Sequence, residues 1–180
     1  MSFSFIPRAR GVAKFSAPLR FSAVVFNALA TADALEDAAA PEGPSWPPPG
    51  ARIARARADA LFAHWEGEEP IDRPPTAAEQ RAYQSFCEAR QRWRATTSAD
   101  PTKFASFKIA SNDGWIVSAA EAKVVADALA AVLADDEQFE LLADILDLAG
   151  DAAVASLRKG LERFRAFNAK CAAADGYEVW

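Results

Sequence analysis

The sequence holds one histidine, two cysteines and one methionine, and its eight glycines are dispersed along the chain. Each scarcity removes a class of chemistry. A lone His64 leaves no second imidazole for a zinc site, and any Ser–His or Cys–His system would depend on it with no nucleophile motif beside it. Dispersed glycines make no phosphate-cradling loop. Cys87 and Cys171 both fall on the apolar side of a helical pattern, which reads as two buried free thiols in a reducing cytoplasm. No apolar run is long enough to span a membrane. Arg8, Arg10, Lys14 and Arg20 before Phe21–Ala30 imitate a signal peptide, with Ala30-Thr31-Ala32 as a mock cleavage site. The long basic region and the interruptions at Ser22 and Asn27 argue against export. A net charge of −5 lacks the basic surplus that general binding to nucleic acid or anionic membrane requires. No cofactor and no metal are implied.

What is present organises around Ser111–Ser118. Asn112-Asp113-Gly114 is a turn signal, because Asn and Asp favour turn geometry and Gly accepts positive φ. Phe107 and Ile109 alternate with Ser106 and Lys108 before it, and Trp115, Ile116 and Val117 follow, so residues 106–117 read as a β-hairpin. Ser118 and Glu121 then form a capping box that starts a helix, and Thr76 with Glu79 repeats the device. Helices are expected over about 22–39, 51–65, 76–97, 119–134 and from 135 or 136 onward, with a break permitted at Gly150 and a last helix stopping at Gly176. Residues 177–180 look like a terminal strand and 2–7 like an edge strand, which Leu19-Arg20-Phe21 would extend or pair. The fold class is therefore α+β, mainly α: five to six helices packed with a small antiparallel sheet. The length of 180 residues suits a single domain. Proline-marked connectors lie at 41–50 and 67–75; the first has polyproline spacing, but a stiff connector pinned by Trp46 is the simpler reading.

An Asn-Asp-Gly turn leading into an Ala-rich helix, then a final helix closing on Gly-aromatic-Glu-hydrophobic, resembles a group of small uncharacterised bacterial proteins. The likeness spans about Phe104–Trp180 and is carried by Asn112, Asp113, Gly114, Ala122, Ala126, Leu129, Phe164, Gly176 and Tyr177. These are turn, core and cap residues, so the resemblance implies a bacterial, cytoplasmic origin and no activity.

Charge is the sharpest functional signal. Residues 109–157 carry ten carboxylates against Lys123 alone. Glu137, Glu140, Asp144, Asp147 and Asp151 are spaced three, four, three and four apart. If the helix persists they stack along one face, opposite Phe139, Leu142, Ile145 and Leu146. Like charges so placed cost about 0.2–0.5 kcal/mol per exposed pair. Solvent or the arginines at 90, 92, 94 and 158 would offset this, which is the usual fate of a charge run. The functional alternative is a basic protein partner, steered by the stripe and gripped by exposed Leu141 and Leu148, with Asn112, Asp113 and Trp115 of the turn adjoining. Such a non-enzymatic binder would suit an immunity-like or accessory role. A competing reading is a hydrolase or transferase with an acid–base site at Asp113 or His64.

Two weaker signals complete the survey. Glu66, Glu68, Glu69 and Asp72 cluster in the second connector without a second histidine. The arginines of residues 52–94 interleave with Trp65 and Trp93 as in single-strand nucleic-acid binders. However, residues 1–108 balance fourteen basic against twelve acidic side chains. Arg55–Asp59 and Glu88–Arg92 also stand at self-pairing spacing, so nucleic acid is not the expected partner.

Overall fold

Alternating Phe3 and Phe5 with serine gives β1 (Ser2–Pro7) one oily face, and that face is buried in the larger of two compact units. The computed structural model describes residues 2–18, 20–67, 70–111 and 113–180. Among them the chain is mainly helical, with a small antiparallel sheet. The contacts group into two compact units, Met1–Ala40 with Ala95–Trp180, and separately Pro41–Arg94.

In the larger unit β1 pairs antiparallel with β2 (Phe15–Pro18) on one side and with β6 (Tyr177–Val179) on the other; β6 also pairs with β5 (Trp115–Val117). The sheet order is thus β2-β1-β6-β5. The strand beside β1 is 15–18; Arg20 and Phe21 already belong to the helix that follows, and Leu19 lies outside the described residues. Phe5 on the inner face packs against Phe164 of α7 (Asp151–Ala172) at 4.9 Å between ring centroids, and Tyr177 against Phe167 at 5.1 Å. Helix α5 (Ala119–Ala134) lies along α7 and buries Val125, Leu129 and Val132.

The first helix, α1 (Arg20–Thr31), is shorter than expected. The chain turns at Asp33, whose φ is 51°, and Leu35–Glu36 forms β3, a parallel pair with β4 (Phe104–Ala105). That pairing overturns the hairpin over 106–117. Residues 107–110 form one helical turn, α4 (Phe107–Ala110), and only 115–117 is strand. A one-sided strand would turn Lys108 to water. The helical turn instead buries Phe107, Lys108 and Ile109 together, because Lys108 finds an internal anion in Glu121.

Both capping boxes form. At α5 the Ser118 amide donates to Glu121 Oε2 (2.9 Å) and the Glu121 amide to Ser118 Oγ (3.2 Å). At α3 (Ala77–Arg94) the Thr76 amide donates to Glu79 (2.7 Å) and the Glu79 amide to Thr76 Oγ1 (3.2 Å).

The smaller unit holds α2 (Arg55–Trp65) and α3 around Trp46. The Trp46 ring lies within 6.4 Å of Phe62, Trp65, Tyr83 and Phe86, and its Nε1–H donates to the Ala58 carbonyl at 2.9 Å. Connector 41–50 is pinned by Trp46 and is part of this small core. Glu79 knits the second connector to the helices, accepting from Arg57 (3.0 Å) and Arg73 (3.1 Å). The Arg57 bond, then the Thr76 amide, holds Glu79 far below the ordinary carboxylate range. A carboxyl with a depressed folded pKa stabilises fully above its unfolded value of about 4.5, and that contribution shrinks as pH falls below it. Thermal melts followed by tryptophan fluorescence are therefore expected to lose stability steeply below about pH 4.5, and Glu79→Gln to flatten that acid limb while lowering stability at pH 7. An unchanged acid limb in the variant would assign it to other carboxylates.

Cys171 is buried as expected, and burial pushes its thiol up to about 11. Cys87 is a correction: it is exposed, because the inner face of α3 is filled by Phe86 and Tyr83.

Candidate functional site

Helix α6 (Asp136–Ile145) starts at Asp135, whose side chain accepts from the Gln138 amide at 3.1 Å. Phe139, Leu142 and Ala143 bury one side. The helix then stops, which overturns the continuous five-anion rod. The Asp147 amide donates to the Asp144 carbonyl (3.0 Å) and the Leu148 amide to the Ala143 carbonyl (3.1 Å), with Asp147 at φ 49°. This is a Schellman closure with aspartate where glycine is usual. Asp147 is thus a helix terminator, and Asp151 opens α7, where a carboxylate suits the positive end of the helix dipole.

Three of the five carboxylates remain together. At about 3.6 residues per turn, the outward arc of α6 runs Glu140, Asp144, Glu137, Leu141, Ile145. All five side chains are exposed, and Leu141 and Ile145 each keep 52% of their surface in water. Only Ile6 and Trp180 are comparable large apolar side chains among the described residues. Single exposed leucines are ordinary; two adjacent ones beside a row of anions form a patch. Ile145 was expected inward. The i, i+4 spacing of Leu141 and Ile145 was the signal for a second apolar ridge, hidden by the stronger Phe139–Leu142 face. Leu148 lies beyond the helix and is half-buried.

Internal cations leave the patch alone. Arg158 of α7 reaches Asp136 (3.1 Å), donates to the Leu133 carbonyl (2.9 Å) and lies 4.0 Å over the Phe139 ring. It therefore ties the start of α6 to α7. Among the described residues none of Glu137, Glu140, Asp144, Asp147 and Asp151 has an ion-pair partner.

The turn contributes less than expected. Asn112 lies outside the described residues, and Asp113 is exposed. Trp115 is fully buried, packed on Phe107 at 4.7 Å with its Nε1–H donating to Ser111 Oγ at 2.9 Å, so it is a core residue and offers no partner surface. His64 is half-buried on α2. A cleft of about 600 Å³ beside α1 and α5 is lined by Asp33, Lys103, Lys123 and Asp127, but these pair as Lys103–Asp33 and Lys123–Asp127. It offers no isolated acid or base. Among the described residues no three His, Cys, Asp or Glu side chains are grouped to hold a metal ion, and no helix is long and apolar enough to cross a membrane.

Four of the smaller unit's eight arginines are paired within it: Arg55–Asp59, Arg57–Glu79 and Arg57–Asp72, Arg73–Glu79, and Arg90–Glu66. Glu88 accepts from Gln84 at 3.2 Å, and Arg92 is not its partner. The second-connector acids divide accordingly: Glu66 and Asp72 take arginines, while Glu68 and Glu69 lie outside the described residues. Compared with protein-family models, curated proteins and solved structures, the chain matches none.

Proposed function

We propose that this chain is a cytoplasmic, non-enzymatic binding protein that presents α6 to a basic protein partner, in an immunity-like or accessory role. The observation that carries the reading is the pairing of half-exposed Leu141 and Ile145 with Glu137, Glu140 and Asp144, three carboxylates without an internal cation. Anions orient an incoming cationic surface over distances up to a Debye length, about 8 Å at physiological salt, and the apolar ridge supplies contact that holds once water is expelled. Self-pairing of Arg55, Arg57, Arg73 and Arg90 takes half of the smaller unit's arginines away from any nucleic-acid footprint, and the free thiols fit a reducing compartment.

The test uses a basic partner captured with the native chain and then purified. Glu137→Gln, Glu140→Gln and Asp144→Asn together are expected to slow association on the order of tenfold and to flatten its salt dependence. Leu141→Ser with Ile145→Ser is expected to speed dissociation roughly tenfold or more. Asp147→Gly, which places the favoured residue in the Schellman position, is expected to stabilise the fold by about 0.5–1 kcal/mol and leave binding unchanged. Binding that survives both the acidic and the apolar changes would make this face solvated surface only.

A further inference from the structure

The smaller unit carries a cleft of about 400 Å³ whose walls include Pro44, Trp46, Phe62, Phe86, Arg55 and Asp59. The three rings lie within 6.4 Å of one another, Phe86 edge-on to both Trp46 and Phe62 and the latter two tilted by 37°, so they form one continuous aromatic wall. Their chemistry restricts the occupant. The Trp46 Nε1–H is held by the Ala58 carbonyl at 2.9 Å, which removes the indole donor that the carbonyls of an extended proline-rich peptide would need. What remains is π surface with an electron-rich face. Such faces repel anions, so Arg55 is a poor anchor for a carboxylate or phosphate here. They attract cations, and a quaternary or protonated amine over an aromatic wall is a favourable contact that strengthens as water is excluded.

Asp59 supplies the matching charge. Its carboxylate is 55% exposed and held only by Arg55, itself 81% exposed, at 3.1 Å and one helical turn away. Exposed pairs of this kind contribute little and exchange readily. The geometry points to this cleft as a binding site for an organic ammonium group, such as a methylated lysine side chain, which takes the place of Arg55 on Asp59 and lies against Trp46 and Phe62. This site is on the smaller unit and is independent of the α6 reading.

The test titrates the full chain with a short trimethyllysine peptide and with its uncharged tert-butyl isostere, in which carbon replaces the nitrogen. The readout is the Trp46 indole N–H resonance. The charged peptide is expected to shift that resonance and to bind about fivefold tighter than the isostere. Asp59→Asn is expected to weaken it and Arg55→Ala to tighten it, two surface changes of opposite sign that leave the core intact. Equal affinity for peptide and isostere would show a merely apolar groove and overturn the proposal. So would an unmoved Trp46 resonance, or an Arg55→Ala variant that binds more weakly.

Discussion

Gly176→Ala is expected to destabilise the larger unit by about 3 kcal/mol or more, lowering its melting temperature by about 10 °C. Two effects add. Gly176 has φ 76°, a left-handed conformation that costs an L side chain about 1–2 kcal/mol. A Cβ there would also lie 1.9 Å from the Val117 carbonyl oxygen and 2.9 Å from the Ser118 carbonyl carbon. These are backbone atoms that cannot rotate away. Val117 is paired with Tyr177 in the sheet, and Ser118 caps α5, so relief of the clash must open the β5–β6 ladder or shift the cap. Gly11→Ala is the control: its φ is 88° but a Cβ there meets nothing within 4 Å, so it should show the conformational cost alone. Equal losses in the two variants, measured by thermal or denaturant unfolding, would remove the steric part of the argument.

Loss of the Glu121 charge should be comparably severe. The Lys108 ammonium is fully buried and donates to Glu121 Oε1 (2.7 Å) and the Ile116 carbonyl (2.6 Å). The other Glu121 oxygen accepts from the Ser118 amide and hydroxyl, both at 2.9 Å. Glu121 thus closes the cap of α5 and neutralises the core lysine with one carboxylate. Burial pushes the lysine pKa below its ordinary 10.5, and the neighbouring carboxylate opposes that shift. In Glu121→Gln the opposition is gone and an uncompensated ammonium is left inside, a loss of about 3–5 kcal/mol. Lys108→Met with Glu121→Gln should cost clearly less than the two single changes summed, because the shape is kept and no charge is stranded. The pH sign follows from the lysine. With its folded pKa below the unfolded value, the unfolded chain binds more protons on alkaline approach, so the Glu121→Gln variant should regain stability as pH rises toward 10.5. Strictly additive losses in the double-mutant cycle would refute the coupling.

The same lysine shows where sequence reading stops. Polar Lys108 between Phe107 and Ile109 obeys the alternation of a half-buried strand, and nothing within a few residues announces that its charge will be met by Glu121, thirteen positions on. The acidic stripe failed for a related reason. Glu137 to Asp151 has ideal helical spacing, but whether a helix continues past Ile145 depends on backbone bonds that Asp147 and Leu148 make, and aspartate in the left-handed position leaves no glycine as a marker.

What the chain of letters determined on its own was local: both capping boxes, the turn glycine at 114 with φ 71°, the helix stop at Gly176, and the oily faces of β1, α5 and α7. Each is set within a turn of helix or a pair of residues, where spacing and side-chain chemistry suffice. Long-range contact decided the rest. The parallel β3–β4 pair, the buried Lys108, the aromatic cluster that gathers 41–94 into its own unit, and the outward placing of Ile145 all depend on which distant surfaces meet. Burial is a property of both partners in a contact, and a periodic pattern records only one of them.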